Sequence, residues 1–181
     1  LQEADLSEGI LIEACLENCN LSEADLCEAD ISGANLENAR LHRTILYRCR
    51  GKEINFSNAI LTQANLVEAN LSGANFTHAN LMESNIEGAN LINTCFKDAN
   101  LCEVNLTGIF LVNANLSGAD LTNAECIAAD FTGCDLSEAN LSNTYINHAD
   151  LSGANLKSAL NLTRDQVETA FINKETLLPD S

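Results

Sequence analysis

Counting by fives from Leu1 meets an apolar residue at almost every step: Leu6, Leu11, Leu16, Leu21, Leu26, Ile31, Leu36 and onward to Leu156. Of these 32 centre positions, 31 are apolar if Cys126 is taken as a small hydrophobe, and Gly51 is the exception. Two residues before each centre, from Ala4 to Ala159, Ala fills 21 of 32 positions. Asn or Asp commonly stands between the two, as in "ANLSGANF" and "EADLCEAD". No insertion or deletion breaks this register. A period of five matches neither the 3.6 of an amphipathic helix nor the 2.0 of a strand. The chain therefore has to bend once in every five residues.

These units match the motif A(D/N)LXX, and over residues 1–158 the chain resembles the pentapeptide repeat family. The uninterrupted Leu/Ala repeats are most similar to those of cyanobacterial members. The resemblance implies an all-β fold: a right-handed quadrilateral β-solenoid of about eight coils, four repeats to the coil. The centre residue and the small residue two before it would face inward. The chain offers its own check. If positions twenty apart stack, Phe56, Phe76 and Phe96 form one interior column between Leu36 and Leu116, which three or five repeats per turn would scatter. At about 4.8 Å per coil, eight coils make a rod roughly 38 Å long.

The interior of such a rod is narrow. Aromatic content of 4% and the absence of Trp fit a core built from many small repeated contacts. Gly at the second position after the centre, as in Gly33, Gly73, Gly88, Gly108, Gly118, Gly133 and Gly153, suits turns that need positive φ. At Gly51 the extra volume of Ile54, in a slot usually held by Ala, is expected to fill part of the space, leaving no ligand-sized cavity. The register lapses after Ala159. "NLTRDQVETAF" reads as a short helix with Thr163 as N-cap, Gln166 three residues on, and Val167, Ala170 and Phe171 on one side. We read 1–158 as the solenoid and 159–181 as a C-terminal helical cap and tail that covers the last coil.

Charge is distributed unevenly. Formal net charge is −17, yet five of the nine Lys and Arg residues, Arg40, Arg43, Arg48, Arg50 and Lys52, fall within thirteen positions. Stacking at twenty sets Arg48 between Glu28 and Glu68, Arg43 over Glu23 and Arg50 over Asp30. Like charges directly opposed on neighbouring strands are unfavourable, so this basic coil reads as relief of repulsion. The competing reading is a patch for an acidic partner surface.

Two outward apolar groups are candidate partner surfaces: Ile92, Phe110 and Val112, and Ile45, Tyr47 and Val67. His78 stacks beside Asp98, which reads as a surface hydrogen bond; no nucleophile, oxyanion-holding loop or cleft accompanies it, so no catalytic residue is assigned. None of the eight cysteines stacks directly on another and no CxxC occurs, so free thiols and a reducing, cytoplasmic location are expected. No metal or cofactor site is expected either. No apolar run approaches the roughly 20 residues of a spanning helix. The chain opens at Leu1 inside its pattern, which is also consistent with a trimmed leader directing it to the periplasm or thylakoid lumen.

Two functions follow. The first is a non-enzymatic scaffold for a protein partner. The second comes with the resemblance: some family members mimic duplex DNA and bind DNA gyrase, inhibiting it or protecting it from quinolones, and an acidic rod suits a basic DNA-binding saddle. The basic coil interrupts that acidity, and the projecting loops or dimerisation module of the quinolone-resistance members are not evident. Nucleic-acid binding itself is disfavoured because phosphates would meet an acidic surface. Partner identity and oligomeric state stay open.

Overall fold

In every five-residue unit but the one at Ile109 the backbone closes the same turn. In residues 21–25 the Ala24 N–H donates to the Leu21 carbonyl at 3.0 Å, and the third residue of the unit, Glu23, has a φ of 60°. The computed structural model, which describes residues 1–179, has positive φ at this third position in every unit from Glu3 to Ser158. The glycines were expected there; Glu, Asn, Arg and His in the same conformation were not. A residue with a side chain is held left-handed at a cost of roughly 1–2 kcal/mol. The ladder overrides that cost, because the third residue is also an inter-coil donor: Glu28 N–H reaches the Tyr47 carbonyl at 2.9 Å.

Parallel bridges join residues twenty apart, from Asp5 with Asp25 to Asn140 with Leu160. Four units therefore complete one coil, and residues 1–160 form eight coils with four sides. We number the sides by their outward columns: side 1 carries residues 5, 25 and so on to 145, side 2 carries 10 to 150, side 3 carries 15 to 155 and side 4 carries 20 to 160. Each side is one residue of ladder between two turns, so the molecule is a stack of single bridges rather than of long strands.

The hydrogen bonds of one unit explain its sequence. The centre N–H donates to the next coil (Leu26 to the Ile45 carbonyl, 2.7 Å), and the fifth-position N–H donates to the previous one (Asp25 to the Ala4 carbonyl, 2.9 Å). With the turn bond and the third-position bond, four of five N–H groups are paired by backbone. The remaining one, directly after the centre, is met by the outward Asn or Asp: Cys27 N–H donates to Asp25 Oδ1 at 2.8 Å. Every Asn and Asp in that slot, from Asp5 to Asn155, accepts this bond. The motif's Asn or Asp is a turn acceptor.

Leu and Ala fill the interior from Leu21 to Leu156. Phe56, Phe76 and Phe96 stack as expected, with ring centroids 5.0 and 4.7 Å apart. Where a hydroxyl replaces Ala, it finds a backbone carbonyl: Thr44 and Thr144 donate to the Leu21 and Leu121 carbonyls of the coil below, each at 2.8 Å, and Thr94 donates to the Leu91 carbonyl of its own turn. Ser84 is the exception, its buried hydroxyl lacking a partner among the described residues. At Gly51 the space is filled chiefly from above, since an added Cβ would lie 2.8 Å from Leu71 Cδ2 and 3.5 Å from Ile54.

The chain leaves the coil at its C-terminal end. Helix α1, Arg164–Thr169, starts with a capping box in which Thr163 and Gln166 satisfy each other's backbone N–H groups. The helix stops short of Phe171, contrary to the expectation that Phe171 shares its face. Phe171 returns to the ladder above Asp150, Leu177 does the same above Asn155, and Phe171 stays 59% exposed. Leu162 and Ala170 pack against the core, and Gln166 Nε2 donates to the Leu141 and Thr144 carbonyls at 3.0 and 2.8 Å. The final coil is thus covered; the centres of the first, Leu6, Leu11 and Leu16, are only half-buried. No helix among the described residues is long and apolar enough to cross a membrane.

Because Leu71 already occupies the space beside Gly51, restoring the repeat consensus with Gly51→Leu will overpack the core. We expect a loss of about 1–3 kcal/mol in urea unfolding. A more stable variant would show that a void exists there.

Candidate functional site

The outward fifth position is where the chain can change its surface without touching the core, and each departure from Asn or Asp there gives up a turn hydrogen bond worth about 1 kcal/mol. The departures include Ile10, Arg40, Ile45, Arg50, Ile60, Phe110 and Tyr145. Two groups coincide with residues singled out above.

The first lies on side 2 in the fifth and sixth coils. Phe110 is 53% exposed, with Ile92 and Val112 half-buried beside it. The adjoining corner carries Gly88 and Gly108, and a Cβ on Gly108 would meet nothing within 4 Å. Val104 and Ile109 fill inward slots that usually hold Ala. The Ile109 N–H closes no turn onto Leu106, and the ladder bonds from Phe110 to the Ala89 carbonyl and from Gly88 to the Thr107 carbonyl lengthen to 3.4 Å. The phenyl ring therefore stands where the ladder is loosened, beside a corner in which Gly88 and Gly108 stand next to Glu87 and Thr107.

The second centres on sides 1 and 2 of the third coil and reaches Arg40 on side 4 of the second coil and Val67 in the fourth. Arg48 Nε pairs with Glu68 at 2.7 Å and its guanidinium lies 4.9 Å from the Tyr47 ring centroid, covering that ring. The Glu68 bond is the main reason the Arg48 pKa is raised, with Glu28 a lesser influence. Arg50 pairs with Asp30 at 3.1 Å. The Asp30 carboxyl sits below its ordinary range chiefly because Ser32 hydrogen-bonds it, with Arg50 adding to the effect. Arg43 departs from expectation: it turns up to Gln63 Oε1 at 2.8 Å instead of down to Glu23. Lys52 pairs with its neighbour Glu53 at 3.3 Å, and Arg40 has no ion pair among the described residues. Ile45 is 39% exposed and Val67 half-buried.

His78 Nδ1 and Asp98 Oδ2 are 3.9 Å apart, too far for the hydrogen bond expected of them. All eight cysteines are free thiols. Burial pushes the Cys49 and Cys134 thiols up to about 12 and raises Cys126 further. No cluster of three potential metal ligands exists among the described residues. One feature has no counterpart in the sequence reading: a groove of about 480 Å³ between side 1 of the eighth coil and α1, lined by Tyr145, Asn147 and Asp165 among others. Its sequence signal was Tyr145 in a slot that calls for Asn.

A family model described as Pentapeptide repeats matches in eight copies, over residues 4–43, 19–50, 52–88, 69–108, 99–137 and 134–164. No protein of curated function matches the chain in sequence. Among solved structures, a trypsin-treated variant of QnrB1, a plasmid-mediated fluoroquinolone resistance protein, is 18% identical with a TM-score of 0.66, covering 96% of this chain and 92% of its own. HetL from the cyanobacterium Nostoc sp. strain PCC 7120, involved in heterocyst differentiation regulation, is 29% identical with a TM-score of 0.31, covering 93% of this chain and 85% of its own. At 18% identity the QnrB1 likeness is one of fold alone.

Reversing the third-coil charge tests its structural role. Arg48→Glu should lower the melting temperature at low ionic strength, and the deficit should shrink near 1 M salt, where the screening length falls to about 3 Å. An unchanged melting temperature at low salt would mean the arginine serves no structural purpose.

Proposed function

The chain belongs to the pentapeptide repeat family, whose right-handed quadrilateral β-helices are generally structural or protein-interaction modules, and we propose that it is a non-enzymatic scaffold binding a partner protein through the flank around Phe110. The observation that carries this reading is Phe110 itself. An outward Asn would have accepted the Val112 N–H, as Asn90 accepts that of Ile92 at 3.2 Å one coil below. Phe110 instead leaves the Val112 N–H without an acceptor among the described residues and sets an aromatic ring in water. Neither choice helps the free protein. Both make sense if a partner buries the ring, since aromatic anchors flanked by aliphatic side chains are the usual centres of protein interfaces.

A second reading is favoured by charge. Residues 1–39 hold ten acidic side chains and no Lys or Arg, so the first two coils form an acidic end of the kind a basic DNA-binding surface attracts. This supports occupation of such a surface on DNA gyrase. The arginines of the third coil end the acidic run, which favours the scaffold.

Phe110→Asn separates folding from binding. The new side chain supplies the missing turn acceptor, so we expect stability to hold or rise by about 1 kcal/mol. Proteins that co-purify with the wild-type chain from its native cell should be lost. Retention of the same partners by the variant would refute the Phe110 flank as the site. In a gyrase supercoiling assay we expect no effect at micromolar protein; inhibition, or protection from a quinolone, would replace the scaffold reading with the mimic.

A further inference from the structure

Among the described residues the ladder rises to a ninth level on sides 2 and 3 only, where Phe171 pairs above Asp150 and Leu177 above Asn155, while side 4 ends at its eighth residue, Leu160, and side 1 at Tyr145. Nothing among the described residues pairs above Tyr145, because the chain departs into α1 where the next unit of side 1 would lie.

The edge left behind is unequally satisfied. Its carbonyls at Leu141 and Thr144 accept from Gln166 Nε2. Its donors are not met. One coil down, Cys126 N–H reaches the Tyr145 carbonyl at 2.8 Å and Asn123 N–H reaches the Ser142 carbonyl at 2.9 Å. Their equivalents, Ile146 and Asn143, have no acceptor among the described residues, although Ile146 is only 3% exposed. A third donor follows from the sequence. In the same column Asn105 Oδ1 accepts the Thr107 N–H at 3.0 Å, but Tyr145 cannot do so for Asn147. Asn143 and Asn147 are exposed, but Ile146 is buried, and an unpaired backbone donor in a packed wall is rare, because it forfeits a bond that water or protein would otherwise supply.

These donors open on the groove of about 480 Å³ beneath α1. A second depression of about 420 Å³ shares Asn143 and Thr163 with it, so the trough is elongated. Tyr145, 55% exposed, forms part of its wall, and Asp165 supplies the one charge. No Lys or Arg lines either part.

We propose that this edge receives an extended peptide segment of a partner protein, which lies over Tyr145 as the missing ninth level of side 1 and carries a Lys or Arg toward Asp165. The Asn143 and Ile146 donors are the two that pair with the coil above elsewhere in the rod, so peptide carbonyls are the acceptors that match them, as in strand addition to an exposed sheet edge. A free phosphate or carboxylate would also accept these bonds, but it would meet Asp165 and a chain of net charge −17. The site lies on a different side from Phe110 and rests on different observations, so either can fail alone.

The test is a titration of the full ¹⁵N-labelled chain, followed by the backbone amide signals of Asn143, Ile146 and Asn147. The probes are an acetylated, amidated heptapeptide of alternating Thr and Lys, the same peptide with Glu for Lys, and inorganic phosphate. We expect the three signals to move and saturate with the Lys peptide, and affinity for the Glu peptide to be weaker by roughly tenfold. Asp165→Asn should narrow that preference. Tyr145→Asn, which offers Asn147 its own acceptor, should weaken binding while leaving the melting temperature equal or higher. Three unmoved signals, or signals that move with phosphate and not with the Lys peptide, would overturn the proposal.

Discussion

Two side chains in every five point into a tube whose width the backbone sets, and the rest of the molecule follows from that limit. Each coil must close on itself within twenty residues and sit one ladder spacing above the last. The centre slot therefore holds Leu or Phe and the other inward slot holds Ala. Changes of volume are absorbed only along the axis or through the wall. Leu71 fills the space Gly51 leaves by reaching down the axis. Where Val104 and Ile109 fill two Ala slots of the sixth coil, the turn at Ile109 is open and the ladder bond at Phe110 lengthens to 3.4 Å.

With the core so constrained, variation is confined to the outside, and the hydrogen-bond accounting of the turn marks where the variation departs from the rule. Asn or Asp at the outward slot completes the pairing of all five N–H groups of a unit. Ile45, Arg50, Phe110 and Tyr145 leave one donor unmet each. In the third coil one such departure, Arg50, gives an ion pair with Asp30 of the coil below. At Phe110 and Tyr145 the departure gives aromatic rings that stay more than half exposed among the described residues. That difference separates side chains serving the rod from those turned toward something else.

Much of this was legible before the structure. A period of five, the Phe56, Phe76 and Phe96 column and the Thr163–Gln166 pair each carry a geometric meaning that needs no partner elsewhere in the chain. The left-handed residues did not show, because local propensity argues against Glu23 or Arg43 in that conformation and only the inter-coil bond overrides it. Arg43 was assigned to Glu23 because stacking specifies which residues are neighbours, not whether a long side chain turns up or down. Phe171 was read as helical because its apolar spacing fits a helix as well as a return to the ladder. The groove above Tyr145 was invisible for a related reason: it exists only because the chain departs into α1 where side 1 would reach a ninth level.

The central claim is that register runs in twenties and not merely in fives. Deleting residues 61–80 keeps every column aligned and brings Phe96 directly over Phe56, whereas deleting residues 66–80 keeps the five-residue pattern but removes Phe76 and turns everything above by one side, leaving Phe96 off the Phe56 column. Urea unfolding of the two shortened chains decides the matter. The account predicts that the twenty-residue deletion unfolds cooperatively and is the more stable by roughly 2 kcal/mol or more, because it retains one aromatic stack and matched outward columns. Equal stability, or the opposite order, would contradict it.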